Sequence, residues 1–183
     1  MAYIIILGLV IAGGLAYFLF VKKNPPAAAP QNNPYKDLRG QIFSVTPEQI
    51  GLAHAGDEKP YAIVMDMGMA EGTATLVSII DGNASMYLSS GGGVIGGYAH
   101  ENVRNAAIDF VNMGQDYIGK MVSVDSFPLP KADYVRFYIL TNKAKYSIEE
   151  DIGKIENGKS DWGPLFFEGN NVITALRMTT GQK

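Results

Sequence analysis

The chain has 183 residues, 47% of them hydrophobic, with 15 basic and 18 acidic side chains and a formal net charge of −3. That length allows one ordinary domain, and the acidic balance argues against a nucleic-acid partner, which needs a basic patch to neutralise phosphates. The absence of cysteine excludes disulfides and thiolate metal sites, and two histidines are too few for a histidine-rich metal centre, so no cofactor is expected.

Residues 2–21 are an uncharged apolar run, long enough as a helix to cross a bilayer core of ~30 Å. Tyr3, Tyr17 and Phe18 stand towards its ends, where interfacial aromatics belong. No Lys or Arg precedes the run and Lys22-Lys23 closes it. That pattern fits an uncleaved anchor over residues 1–23 better than a signal peptide, which starts basic and ends at a small-residue cleavage site. The two lysines favour the cytoplasmic side, so a single-pass membrane protein with a cytoplasmic soluble domain is expected. Gly8, Ala12 and Ala16 recur every fourth residue, a small-residue stripe through which such helices can approach. Removing Lys22 and Lys23 from the 15 basic residues leaves 13 against 18 acidic ones, so the remainder is more acidic still. Residues 24–34, rich in Pro, Ala and Asn, read as a semi-extended linker. The soluble domain is expected over residues 35–183.

Thr46-Pro47-Glu48-Gln49 opens a short helix: Thr46 caps it, Pro47 suits the first turn and Gln49 returns a capping-box bond. Residues 61–67 then read as a strand, broken by residues 68–72. Residues 73–80 resume it with Thr73, Thr75, Val77 and Ile79 on one face. Asp81-Gly82-Asn83 is a hairpin signal, and residues 84–89 return as a third antiparallel strand. Residues 99–121 have helical spacing through Val103, Ala107, Phe110, Gly114, Tyr117 and Met121. After the extended connector 127–130, residues 134–140 form a strand with Val135, Phe137 and Ile139 inward and Arg136 outward, and residues 145–148 pair back. Residues 149–161 read as an acidic exposed loop or weak helix, and Asn170 or Asn171 caps a last helix. The expected fold is α+β: a transmembrane helix, then an antiparallel sheet of about five strands in the order α-βββ-α-ββ-α, with packed helices.

The candidate site is the glycine-rich stretch between the third strand and the long helix: Ser90, Gly91, Gly92, Gly93, Gly96 and Gly97, with His100 and Glu101 in the first helical turn. Such a loop offers backbone N–H groups and the positive end of a helix dipole to an anion or a peptide backbone. Residues 91–96 match the letters G-x-G-x-x-G, but a hairpin meander precedes them instead of a parallel βαβ unit, and Asp109 and Asp116 lie inside the expected helix. No Lys-Ser/Thr pair follows, so a P-loop is excluded. The bland reading is a tight corner with close backbone packing. His100 and Glu101 could act as acid and base beside Ser89 and Ser90, yet no third orienting group and no G-x-S-x-G setting accompany them. Helix-dipole compensation explains Glu101 equally well. His54 reads as a surface residue.

Asp66, Glu71 and Asp81 fall at strand ends and turns, with no calcium-loop spacing. Glu149-Glu150-Asp151 reads as a solvated acidic edge. Trp162, Phe166 and Phe167 read as fastening the last segment to the sheet, with an exposed partner patch as the alternative. No catalytic residue or metal ligand is assigned.

The block from Met86 to Gly97, followed by His100-Glu101 and Val103-Arg104, resembles a motif of small bacterial proteins of unknown function. The resemblance extends over residues 38–178 and leaves out the membrane segment. It implies a bacterial source, and hence the inner membrane, and it supplies no activity or substrate. The leading functional expectation is a membrane-tethered module, attached through residues 2–21, that binds a protein partner or self-associates. The alternatives are a membrane-associated small-ligand sensor or hydrolase using residues 91–97 with His100 and Glu101 at the adjacent helix N-terminus, and a structural subunit of a membrane complex.

Overall fold

The computed structural model describes residues 34–52 and 56–180. The described chain enters at α1 (Tyr35–Ile42), followed by a 3-10 turn at Pro47–Ile50. Three consecutive strands come next, β1 (Pro60–Met69), β2 (Gly72–Ile79) and β3 (Ala84–Leu88), and then a two-residue strand β4 (Gly93–Val94). Helix α2 (Glu101–Met113) leads through two 3-10 turns to β5 (Val122–Ser123). Strands β6 (Tyr134–Thr141) and β7 (Lys145–Asp151), a short α3 (Ile152–Glu156) and the long α4 (Gly163–Thr180) complete the fold. The strands form one antiparallel seven-stranded sheet in the order β4-β3-β2-β1-β6-β7-β5.

Strand β1 explains the layering. Residues 60–66 are all buried, the pattern of a central strand covered on both faces. Side chains alternate across a strand, so Ile63 and Met65 point to one face while Ala62, Val64 and Asp66 point to the other. The first face carries the main core, in which Leu76, Phe137 and Ile139 meet Val103 and Phe110 of α2 and Leu165, Val172 and Leu176 of α4. Trp162 packs at the edge of this core, its ring 5.3 Å from Tyr117 and 6.4 Å from Phe137. The second face carries a separate core of Tyr61, Val64, Val77, Tyr138 and Leu140, covered by Ile42 and Phe43. Phe127, in the connector before β6, stacks on Phe43 at 4.0 Å and completes that cover.

Several expectations are corrected. The sheet has seven strands, because residues 93–94 and 122–123 add short edge strands that carry no propensity signal. A first α-helix, α1, precedes the Thr46 capping box, and the capped element itself is only a 3-10 turn. The transmembrane helix and the single-pass membrane description are also corrected: among the described residues, no helix is long and apolar enough to cross a membrane. The anchor expected over residues 1–23 lies outside the described residues, as do residues 24–33 of the expected linker. The long helix ends at Met113, where Gly114 closes against Ile63 and the chain tightens into 3-10 turns. The last helix starts at Gly163, so Asn170 is interior and donates its amide to the Phe166 carbonyl (2.9 Å). The acidic run is not a free edge. Glu149 pairs with Arg136, Glu150 accepts from Ser160, and Asp151 caps α3 by accepting from the Lys154 N–H.

Phe110 is fully buried between α2, α4 and β1. Phe110→Ala should therefore cost about 3–5 kcal/mol, measured by urea unfolding with Trp162 emission as the readout. A loss below ~1 kcal/mol would show that this core closes over the cavity.

Candidate functional site

Ladder register places a polar row across the second face of the sheet. Tyr87 of β3 lies opposite Thr75 of β2, Thr75 opposite Asp66 of β1, Asp66 opposite Arg136 of β6, and Arg136 opposite Glu149 of β7. Asp66 is completely buried. Its carboxylate is met by Arg39 of α1, whose Nη2 donates to Oδ2 at 2.6 Å and whose Nε donates to Oδ1 and Oδ2 at 3.2 and 3.0 Å. The Thr75 hydroxyl donates to Oδ1 at 2.5 Å. With the Thr75 proton used, the Tyr35 hydroxyl must be the donor in its 2.8 Å bond to Thr75 Oγ1.

The electrostatics follow from this packing. Burial works against the Arg39 charge, but the hydrogen bond and charge of Asp66 outweigh it and hold the guanidinium above its ordinary pKa. Burial pushes the Tyr35 and Tyr138 hydroxyls up. The guanidinium also lies over the rings of Phe43 (5.1 Å) and Tyr138 (5.7 Å), a favourable placement for a desolvated cation. Arg136 is turned to Glu149, with Nη2 to Oε2 at 2.5 Å. Thr75, Asp66, Arg136 and Glu149 are thus all bonded within the chain. Asp66 accepts four hydrogen bonds, and its function in this state is to seat α1. Beside α1 the same face is open as a groove of about 160 Å3, with Leu38, Ile42, Val77, Ile79 and Tyr87 along it.

The glycine stretch is a hairpin. The Gly91 N–H donates to the Leu88 carbonyl (2.9 Å) and the Leu88 N–H to the Gly92 carbonyl (3.1 Å), and Gly93 pairs with Tyr87. A Cβ on Gly93 would stand 2.2 Å from the Met86 carbonyl oxygen, at a φ of +153°. Gly97 is buried against Val103 and Leu176, where a Cβ would come within 2.5 and 2.8 Å. Gly96 donates to Ser85 Oγ at 3.3 Å. Ser90 and Gly92 are exposed at the turn, His100 is the N-cap residue of α2 with no side-chain cap bond, and Glu101 is exposed in its first turn.

The structure separates the expected site: Ser90, Gly91 and Gly92 form the β3–β4 turn, beside the β1–β2 end of the sheet where Ser89 meets Thr73, whereas the chain then runs back along β3, Gly96 reaching Ser85, so that His100 and Glu101 open α2 near the opposite end, where Arg104 lies against Gly82. It does not gather the three carboxylates. Glu71 is exposed in the β1–β2 turn, and Asp81 sits at the other end of β2, accepting from the Asn83 N–H and side-chain amide (both 2.8 Å). Among the described residues no group of three or more His, Asp or Glu is placed to hold a metal ion. His54 lies outside the described residues.

Arg39 carries no signal in the sequence alone, and Asp66, expected at a strand end or turn, lies inside β1. Arg136 does face away from Val135, Phe137 and Ile139 as expected, and its partner there is Glu149. A charged residue inside the otherwise apolar run 61–67 was the available signal. No protein-family model, curated protein or solved structure matches this chain.

The glycine geometry makes a graded prediction. Gly93→Ala should cost about 1–3 kcal/mol, since a backbone carbonyl must move. Gly92→Ala, which meets open space at φ +85°, should cost only the ~1–2 kcal/mol of a left-handed residue. Thermal unfolding of the two variants checks the order.

Proposed function

We propose that this chain is a protein-interaction module that binds an extended partner segment along the β4 edge. The observation that carries this reading is the exposure of Ile95 and Tyr98, 67% and 52% accessible, on the segment that leaves the sheet's terminal strand. Large apolar side chains beside an edge strand suit strand addition: backbone groups supply the hydrogen bonds and alternate side chains supply the specificity. Gly97 fixes this segment by packing against Leu176 of α4. Met178, 60% exposed two residues further along α4, extends the apolar character of that end of the molecule. The Gly91 and Gly96 N–H groups are bonded within the chain, which favours this reading over a ligand cradle.

The opposite edge supplies an internal control, because Val122 of β5 is exposed to a similar degree, 66%. A photo-crosslinking side chain at position 98 of the full chain, expressed in its native cells, should give discrete protein adducts that Ile95→Glu abolishes. The same group at position 122 should not give them. Equal labelling at both positions, or none at position 98, would sink the proposal, and an adduct of twice the chain mass would identify the partner as a second copy.

A further inference from the structure

Residues 34–52 contribute nothing to the main core, which is built from the sheet, α2 and α4. They hold to the second face largely by polar bonds. The Tyr35 hydroxyl meets Thr75 and the Arg39 guanidinium meets Asp66. The Phe43 carbonyl accepts from Lys145 Nζ (2.8 Å), and the Val45 carbonyl accepts from the Tyr61 hydroxyl (2.9 Å). Water can replace each of these partners once the segment lifts, and both members of the buried ion pair regain hydration together. The net hold of such a pair is therefore far smaller than its Coulomb attraction. The apolar hold is concentrated in Ile42 and Phe43, while Val45, Ile50 and Leu52 are only partly buried. The groove beside α1 already leaves one flank of the segment open.

We infer that residues 34–52 are a releasable strap, an intramolecular ligand that masks the second face of the sheet until an arginine-bearing helical segment of like pattern takes its place. The complementarity names that chemistry. Tyr35, Arg39 and Phe43 recur every fourth residue along one side of α1. They meet a buried carboxylate that Thr75 also bonds, with the Tyr138 ring beneath the guanidinium and Phe127 stacked on Phe43. A forked guanidinium satisfies both oxygens of Asp66 at once, which an ammonium cannot do. The inference is independent of the β4 edge and would survive its failure.

Trp162, the single tryptophan, lies in the main core and reports on it separately from the strap. In the full chain, hydrogen exchange read by mass spectrometry should release the amides of residues 35–50 as one set, at least tenfold sooner than those of α2. Release of both sets together overturns the strap. Arg39→Gln should raise strap exchange and the binding of the dye ANS several-fold while Trp162 emission stays at its wild-type value. A synthetic peptide of residues 34–52 added to that variant should displace the dye, and the same peptide carrying Arg39→Gln should not. A shift of Trp162 emission along with the dye signal, or equal displacement by the two peptides, overturns the proposal. Where Arg39→Gln does not fold, Arg39→Lys, which keeps the charge and loses the fork, is read by the same outcomes.

Discussion

A carboxylate at zero exposure in the middle of a sheet face has to be answered, because an uncompensated buried charge costs several kcal/mol. Asp66 is answered by Arg39, from a helix that otherwise buries only Tyr35 and Ile42. This single requirement sets where α1 lies and how it is rotated. The aromatic pair Phe43 and Phe127 follows from that rotation, since Phe43 sits one turn beyond Arg39 and offers its ring to the connector before β6. The second layer is therefore specified by charge, and apolar area fills in around it.

The main core obeys the opposite logic. Ile63, Met65, Leu76, Phe110, Phe137, Ile139, Leu165 and Leu176 are fully or almost fully buried. Burying a side chain of this kind contributes roughly 1.5–3 kcal/mol. That face supplies most of the stability without any buried charge. The molecule so divides its tasks, with one face of the sheet holding the fold and the other holding a particular segment in a particular register. The β4 end, with its glycines drawn tight around Met86 and Leu176, is a third region in which close backbone packing leaves Ile95 and Tyr98 outside.

What could be read from the residues depended on whether local chemistry decided the structure. The Asp81-Gly82-Asn83 hairpin was legible because Asp81 bonds Asn83 locally, whatever surrounds it. The three strands about it were legible for the same kind of reason, since their β-branched and apolar runs are continuous. Helix α1 was not, because its buried stripe contains an arginine and so breaks the apolar period by which helices are recognised. The outward direction of Arg136 was legible from strand alternation, but nothing in its own strand shows that Glu149 of the next strand lies opposite it. The start of α4 carries a local signal of its own, since Pro164 stands just inside the first turn, a favoured position for proline. The glycines 91–97 were legible as a corner. Which of them are crowded and which are open is settled by distant partners such as Met86 and Leu176.

The strand order has a consequence for how the chain comes off the ribosome. β1 occupies the centre of the sheet, yet one of its two neighbours is β6, more than sixty residues later in the sequence. The meander β1–β3 can close on local contacts as it emerges, but residues 62–67 present an unpaired, strongly apolar edge until residues 134–141 have been synthesised. Such a delay is when nascent chains are most exposed to wrong pairing. Asp66, next to the end of that waiting edge, places a negative charge on a stretch that is otherwise apolar. The residue that later seats α1 is thus also a safeguard during the interval before its permanent neighbour arrives.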